Sequence, residues 1–554
     1  MIIAATRDST AAARNDYVGS AACARCHADI YQSFSRTRMG RSLVIVSPKV
    51  IQDLPIPGAF DSESLDRHYE IFSNQGKLYQ SESQAGANGA DVFRDTRTIQ
   101  WIIGAGANGY GALLQRDNYL FEAPLSYYTK SHTWELSPGY EGNDIGFSRT
   151  IQAGCISCHS GRAYPADANT GRYTPTPFSE TAIGCENCHG PGAKHLRAVG
   201  PGGSLAHGPQ IVNPGRLSSE LENDICMSCH EAGDTRVLKP GKTYQDFRPG
   251  TPLDNTFSIL MVPLKRGDAD DKDHVQHYFE MSMSKCFRAS AGQLRCATCH
   301  DPHVEPAQSE APGYFNTKCV GCHSSRACTL PLPARQQTKP ADNCIGCHMP
   351  QREATETAHT SLTNHRILIR PGEPWPEETF QLTSASLADL VHLNRVSGET
   401  DEVPPLALLE AYREVSERKP EYAASYQRVL SELEQTDPDH AEVQQGVGKR
   451  DLDNGDLQQA VIHLRRAIQL DPDLGLTQAY LSEALAQLNQ MNDAIEASEK
   501  AVSLDQYNPL FRKALIDRLI AAKRYDKAIA AMELYMELFP EDSFMRKMLD
   551  LAKQ

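Results

Sequence analysis

The chain has 554 residues and a formal net charge of −15. This length favours two or more domains. The negative charge disfavours a nucleic-acid partner, because proteins that bind nucleic acids present basic surfaces to the phosphates. The sequence contains no apolar run of about 18 residues, so it predicts no transmembrane helix.

The first element along the chain is the pentapeptide Cys23-Ala-Arg-Cys26-His27, and the same Cys-x-x-Cys-His pattern recurs six times. Together the seven copies use fourteen of the sixteen cysteines. The cysteine pairs are Cys23 and Cys26, Cys155 and Cys158, Cys185 and Cys188, Cys226 and Cys229, Cys296 and Cys299, Cys319 and Cys322, and Cys344 and Cys347. The histidines that follow them are His27, His159, His189, His230, His300, His323 and His348.

This spacing is the attachment signature of c-type haem. Two thiols form thioethers with the two vinyl groups of one porphyrin, and the following imidazole becomes an axial ligand of its iron. Zinc knuckles do not need a histidine after every cysteine pair, and two cysteines three residues apart rarely form a disulfide outside redox sites. The motifs therefore predict seven covalently attached haem c groups.

Residues 15 to 42 place the first motif at the head of a short predicted helix. This stretch resembles the opening of the cytochrome c554-like multihaem family, in which a haem motif precedes an aromatic-containing helix and a ligand-bearing turn. Many relatives have histidine near the position of Met39. At this position methionine can be either an axial ligand or a packing residue.

Residues 60–140 lack cysteine and predict a small β-rich insert. A hairpin is indicated by His68-Tyr-Glu-Ile-Phe followed by Gly76-Lys-Leu-Tyr, and glycine-punctuated aromatic and β-branched runs follow. His68 and His132 lie in this insert. Each is either a distal haem ligand or a surface histidine, and we count His68 among the candidate ligands.

Three motifs lie between Cys155 and His230 in sequence rich in glycine and proline. Such a segment cannot build an ordinary side-chain core, so the porphyrins are expected to take its place. The run from Gly184 to His195 resembles a motif of the hydroxylamine oxidoreductase and cytochrome c554 superfamily. The resemblance implies that His195 ligates a neighbouring haem, whereas His207 is a weaker candidate.

An acidic stretch, Asp268 to Asp273, leads to His274 and His277, and the fifth motif is followed by Asp-Pro-His303. His303 cannot easily reach the other face of its own iron, so we expect it to ligate an adjacent haem. Cys286 and Cys328 lie outside the motifs. An oxidising compartment favours a disulfide between them, with free buried thiols as the alternative.

After the last motif, His359 and His365 are further candidates, and residues 371–404, beginning with the proline-rich run 371–376, form a linker. Nine histidines outside the motifs are thus available to seven irons: His68, His132, His195, His207, His274, His277, His303, His359 and His365. From these, His68, His195, His277, His303, His359 and His365 are the predicted distal ligands. The roles of Met39, His132, His207 and His274 stay open.

Residues 405–554 contain no cysteine and follow a 34-residue period. Ala460, Ala494 and Ala528 align, as do Ala467 and Ala501. The pattern resembles the tetratricopeptide repeat, with three units from about 441 to 540, a degenerate helical pair before them and a terminal helix after them. Four residues depart from its usual glycines: Ser482 and Ile516 at one position, Asn489 and Lys523 at another.

The predicted fold is mainly α. A heptahaem cytochrome c domain (1–370) packs around haem, includes the β-rich insert and is followed by an α-solenoid (405–554). Such a chain is expected to carry electrons among its haems and to meet redox partner proteins. Docking of a protein on the repeats and self-association into a filament are further expectations.

Chemistry at one open haem, as in hydroxylamine oxidoreductases or nitrite reductases, is the alternative function. However, the sequence lacks the Cys-x-x-Cys-Lys variant that pentahaem nitrite reductases use at their catalytic haem. Covalent haem attachment predicts export to the periplasm or the cell exterior. The opening Met1-Ile-Ile-Ala-Ala is too short to be a signal peptide, so the numbering is expected to describe a mature or truncated chain.

The motif count makes a direct prediction about mass. The intact mature protein should exceed its polypeptide mass by seven haem groups, because each motif supplies both thiols for one porphyrin. Intact-mass spectrometry measures this excess, and six or fewer groups in fully matured protein would contradict the count.

Overall fold

The computed structural model describes residues 16–140, 142, 145–204, 208, 210–266, 276–323, 328–351, 363–384, 387–396 and 402–554. Within these ranges no helix is both long and apolar enough to cross a membrane. The chain forms a mixed N-terminal region up to residue 396 and a purely helical solenoid from residue 405 onward.

The N-terminal region contains most of the β-structure. Its strands are β1 (Leu43–Ile45), β2 (Gly58–Ser62), β3 (Arg67–Asn74), β4 (Lys77–Ala85), β5 (Asp91–Ile99), β6 (Trp101–Ile103), β7 (Gly109–Arg116), β8 (Tyr119–Glu122), β9 (Leu125–Tyr128), β10 (Thr133–Leu136), β11 (Arg162–Pro165), β12 (Tyr173–Glu180), β13 (Thr235–Leu238), β14 (Phe257–Met261) and β15 (Val391–His392). They form a four-stranded sheet in the order β2-β3-β4-β5, a six-stranded sheet in the order β1-β6-β7-β9-β10 with β8 beside β7, and the smaller sheets β11-β12 and β13-β14-β15.

The β-rich segment and its hairpin are confirmed. Strands β3 and β4 pair antiparallel around Gln75 and Gly76, which both have positive φ, as a two-residue hairpin loop requires. The chain also has β-structure outside residues 60–140, which sequence analysis did not predict. All five residues of β14 are buried, so the alternation that indicates a half-exposed strand is absent from its sequence.

Short helices carry the remainder of the N-terminal region. They are α1 (Ser20–Cys23), α2 (Ala28–Phe34), α3 (Pro48–Asp53), α4 (Ala153–Ser157), α5 (Cys185–His189), α6 (Ala193–Val199), α7 (Ser219–His230), α8 (His277–Ser282), α9 (Lys285–Ala289), α10 (Cys296–Cys299), α11 (Ala311–Cys322), α12 (Leu332–Gln336) and α13 (Cys344–His348). None of the described residues from 285 to 351 is buried. Even α11, with twelve residues, buries no side chain against protein.

The solenoid consists of α14 (Pro405–Arg418), α15 (Ala423–Thr436), α16 (Ala441–Asn454), α17 (Leu457–Leu470), α18 (Gly475–Gln487), α19 (Met491–Leu504), α20 (Pro509–Ala521), α21 (Tyr525–Leu538) and α22 (Ser543–Ala552). Consecutive helices pair as the repeat period predicts, and the aligned alanines are buried between them, with Ala460 and Ala494 at 0 % exposure. Ser482 and Ile516 replace glycine without loss of packing. The Ser482 hydroxyl bonds to that of Ser498, and Ile516 joins an apolar cluster with Met532.

Three turns between paired helices share one backbone conformation. Gly455, Asn489 and Lys523, spaced 34 residues apart, all have φ between +60° and +83°. In each turn the next residue's N–H donates to a carbonyl five residues earlier, as Arg524 does to Leu519 at 2.8 Å. This is the usual left-handed helix C-cap, so Asn489 and Lys523 adopt a conformation that favours glycine.

Both ends of the solenoid pack on the N-terminal region. At its start, α14 lies against β13, and its apolar residues share a cluster with Val237 and Leu260. Near its other end, the Tyr507 ring lies 5.0 Å from the rings of Tyr119 and Phe121, and its hydroxyl donates to Asp117 at 2.8 Å. The repeats are therefore attached at two distant points and do not extend as a free arm.

Substitution of Lys523 by glycine should stabilise the solenoid by roughly 0.5–1 kcal/mol, because glycine adopts positive φ without a steric penalty. Urea unfolding followed by far-ultraviolet circular dichroism measures the change. The matched variant Gly455→Ala should shift stability in the opposite direction. A loss of stability in Lys523→Gly would show that the lysine side chain outweighs its backbone strain.

Candidate haem-binding centres

Every Cys-x-x-Cys-His motif begins within a short helix. The motif helices are α1, α4, α5, α7, α10, α11 and α13. A spacing of three residues in a helix places both thiols on one face, with the histidine one turn beyond the first cysteine. The backbone shows this turn directly, since the His27 N–H donates to the Cys23 carbonyl at 2.9 Å and the His323 N–H to the Cys319 carbonyl at 2.8 Å.

Thiols of different motifs lie close enough to shift one another's pKa. The strongest of these interactions join Cys23 to Cys185, Cys158 to Cys229, and Cys226 to Cys296. Weaker electrostatic interactions join Cys188 to Cys226, Cys299 to Cys319, and Cys319 to Cys344. Each motif thus has at least one other motif as its neighbour, and the Cys226 motif has three.

Several histidines use the Nδ1 atom to bond a backbone carbonyl. His189 Nδ1 lies 2.9 Å from the Val212 oxygen, His348 Nδ1 lies 2.5 Å from the Leu368 oxygen, and His365 Nδ1 lies 3.0 Å from the Thr363 oxygen. A carbonyl oxygen only accepts, so Nδ1 carries the proton and the lone pair remains on Nε2. This second contact orients a metal-ligating imidazole in many proteins.

Three of the predicted distal ligands lie beside motif histidines. The ring centres of His189 and His303 are 6.0 Å apart, those of His300 and His365 are 6.4 Å apart, and those of His230 and His277 are 5.3 Å apart. Two imidazoles bound to opposite sides of one metal ion, each about 2 Å from it, have ring centres roughly 6 Å apart. The first two pairs match this separation, and the third is slightly shorter.

Two of these pairs form one cluster, because the rings of His277 and His365 lie only 4.3 Å apart. The protein packed around the two rings lowers the pKa of His230 and of His300 by desolvation, although the surface of both residues remains exposed, and the nearby His300 lowers the pKa of His230 further. Desolvation also lowers the pKa of the half-buried His189, with a smaller contribution from His303. A lowered pKa favours the neutral imidazole, which is the form that binds a metal.

One carboxylate that sequence analysis missed connects two motifs. Glu186, inside the third motif, is 4 % exposed and accepts hydrogen bonds from the backbone N–H groups of Val18, Gly19 and Gly192 at 2.7 to 3.0 Å. It therefore holds the segment before Cys23 against the Cys185 motif. A glutamate at a variable position of a motif carries no signal of this role in the sequence.

The donor set fits haem c better than zinc. Within the described ranges, no group of three or more histidine, cysteine and acidic side chains converges as a metal site would require. In addition, the segment 285–351 holds three motifs and no buried side chain among its described residues. Apolar residues of this segment, including Val304 and Val320, are exposed. A bound porphyrin, which is a large apolar group, would cover such side chains.

Other candidates lie elsewhere. His68 is on β3, with Nδ1 2.6 Å from Asp61 and Nε2 3.7 Å from Glu70, and these contacts favour the surface alternative over a haem ligand. His132 contacts the Tyr127 hydroxyl in the β9–β10 turn. His195 lies on α6, and Met39 begins a half-buried 3-10 turn. His207, His274 and His359 lie outside the described residues.

The disulfide favoured by the sequence is not formed. Cys286 and Cys328 are both free, and Cys286 interacts instead with the motif thiols Cys299 and Cys322. Partial desolvation raises the pKa of Cys286, and the neighbouring Cys322 thiol raises it further. The two thiols are therefore free, as in the alternative, but both are half-buried and not fully buried.

The family model described as "Cytochrome c554 and c-prime" matches residues 129–190, and a tetratricopeptide repeat model matches residues 481–508. Among solved structures, MamA is similar over 25 % of this chain and 80 % of its own, at 22 % identity and a TM-score of 0.23. A thermophilic tetratricopeptide repeat protein of Thermus thermophilus is similar over 27 % of this chain and 81 % of its own, at 20 % identity and a TM-score of 0.23.

Two curated relatives are multihaem or redox proteins. The multiheme cytochrome MtrA of Shewanella baltica is 24 % identical over 180 residues, which cover 31 % of this chain and 52 % of MtrA. The dissimilatory sulfite reductase MccA of Wolinella succinogenes is 22 % identical over 413 residues, which cover 63 % of this chain and 53 % of MccA. The chain thus spans about half the length of these relatives. Their similarity agrees with the chemistry of the motif helices, and the chain is a multihaem c-type cytochrome with C-terminal tetratricopeptide repeats.

Proposed function

We propose that the chain conducts electrons through seven covalently bound haems, held by the N-terminal region as a heptahaem domain up to about residue 370. The observation that carries this proposal is the proximity of motif thiols, which interact in three closely coupled pairs. Haems attached at two such motifs would begin close to each other. Neighbouring haems would then exchange electrons without any movement of the protein.

The thiol interactions support a branched order. Successive neighbours run from the Cys23 motif through those of Cys185, Cys226, Cys296 and Cys319 to that of Cys344. The Cys155 motif joins this line at the Cys226 motif, through Cys158 and Cys229. Such an order gives a path with two ends and one side branch.

Closed axial coordination suits conduction. When haem c is bound, its iron supplies a one-electron redox change, and a second imidazole leaves no position for substrate. In this chain His303 faces His189, His277 faces His230, and His365 faces His300. The carbonyls of Val212, Leu368 and Thr363 hold the protons of their imidazoles on Nδ1 and so keep Nε2 for the metal.

The setting follows from the cofactor. Covalent haem attachment and the relatives support a periplasmic or extracellular location, where the chain would meet redox partner proteins. Because both ends of the repeats pack on the N-terminal region, a docked partner would be held at a constant distance from the haems. Residues 371–404 would connect the two parts, and assembly into a filament is a further use that the repeats permit.

Replacement of His303 by alanine should open one iron. We expect one low-spin haem signal to become high-spin in low-temperature EPR, with all haems still attached, because the thioethers do not depend on the sixth ligand. His68→Ala is the matched control and should leave every signal unchanged. A fully low-spin His303→Ala protein that retains all its haems would contradict the assignment.

Catalysis at an open haem is the second candidate function, favoured by the similarity to a dissimilatory sulfite reductase over 413 residues. It requires at least one iron without a second histidine. The conduit proposal predicts no turnover of sulfite, nitrite or hydroxylamine by the unaltered holoprotein with a reduced or oxidised dye as electron partner. Turnover together with a high-spin signal that the substrate perturbs would establish the enzyme instead.

A further inference from the structure

Two buried carboxylates lie among the clustered histidines and belong to no motif pattern. Glu231 is 0 % exposed and Glu280 is 1 % exposed. Glu231 directly follows the motif histidine His230, and Glu280 lies one helical turn after His277. Burial of two carboxylates so close together costs free energy unless each one makes specific hydrogen bonds.

Glu231 joins the two histidines of one pair. Its Oε2 accepts the backbone N–H groups of Tyr278 at 2.9 Å and of Phe279 at 3.0 Å, in the first turn of α8. The backbone of Glu231 also forms an antiparallel bridge with Gln276, immediately before His277. One residue therefore attaches the chain after His230 to the helix that begins at His277.

Glu280 joins this helix to the next pair. Its Oε2 accepts the backbone N–H of His365 at 2.8 Å, although 85 residues separate the two along the chain. The His365 ring then lies 4.3 Å from His277 and 6.4 Å from His300. The two carboxylates thus connect the segments that carry His230, His277 and His365.

Capping of α8 alone would not require an acceptor from a remote segment. The free N–H groups at the start of a short helix are usually satisfied by a Ser, Thr, Asp or Asn at its own N-cap. In α8 the N-cap is Gln276, whose side chain makes no capping bond, and the acceptor comes from 47 residues away. The bond therefore fixes the distance between two remote segments as well as capping a helix.

We infer that Glu231 and Glu280 are positioning residues, which hold His230, His277 and His365, three proposed ligands of two neighbouring haem centres, as a single unit. This inference rests on the proposed role of His277 and His365 as distal ligands. Displacement of one carboxylate would move an imidazole away from its iron while every ligand remains in the chain.

Two conservative variants of Glu280 distinguish the effect of side-chain length from the effect of the carboxyl group. Glu280→Asp keeps the charge but shortens the side chain by one methylene, so its carboxylate no longer reaches the His365 N–H. Glu280→Gln loses the charge but keeps an acceptor oxygen at the same reach. The holoproteins are compared by low-temperature EPR and by the amount of carbon monoxide that the fully reduced protein binds, because only an opened iron takes up this ligand.

We expect Glu280→Asp to bind about one more carbon monoxide per molecule than the unaltered protein and to gain a matching high-spin signal. Glu280→Gln should behave as the unaltered protein. Glu82→Asp is the matched control, because Glu82 is a 1 % exposed carboxylate of β4, outside every motif helix, that pairs with Arg67 at 3.3 Å. It should bind no additional carbon monoxide.

Three results would overturn the positioning role: no change in Glu280→Asp, an equal change in Glu280→Gln, or an equal change in Glu82→Asp. These results leave the conduit proposal standing, since they concern only what holds the ligands. Conversely, substrate turnover by the unaltered protein would refute the conduit without altering the comparison between the aspartate and glutamine variants.

Discussion

Burial of apolar surface is the main driving force of folding, and the part of this chain that is richest in haem motifs has almost none of its own. Between residues 285 and 351 the described chain turns through five short helices without burying one side chain. The β-rich segment and the solenoid, by contrast, have closed cores around residues such as Phe121 and Leu464. Covalent porphyrins would supply the missing apolar surface, so attachment and folding of this segment should be linked.

The segments before and after this one have apolar cores of their own. The sheets before Cys155 and the repeats after residue 405 each bury ordinary side chains. They also contact each other, through the aromatic group of Tyr119, Phe121 and Tyr507. Because α14 packs on β13 as well, the N-terminal region is supported from two sides.

Within the haem-binding region, hydrogen bonds from polar side chains hold together segments that an apolar core joins in other parts of the chain. Glu186 joins the first motif to the third, and Glu231 and Glu280 connect the segments of three clustered histidines. An intramolecular hydrogen bond contributes about 0.5–1.5 kcal/mol and, unlike apolar contact, specifies one geometry. That specificity suits a protein in which the distance between a ring nitrogen and an iron decides the chemistry.

Features that depend on a local pattern can be predicted from the sequence. The Cys-x-x-Cys-His spacing identified the cofactor, the 34-residue period identified the repeats, and the positions of His277, His303 and His365 made them candidates. Which histidines lie near one another is visible only in the tertiary structure, because neighbouring imidazoles can be more than 60 residues apart in sequence, as are His300 and His365. In the structure His68 pairs with Asp61, and Cys286 and Cys328 form no disulfide. The structure also shows the buried carboxylates. Each accepts a hydrogen bond from an N–H group far away in the sequence, which no sequence spacing predicts.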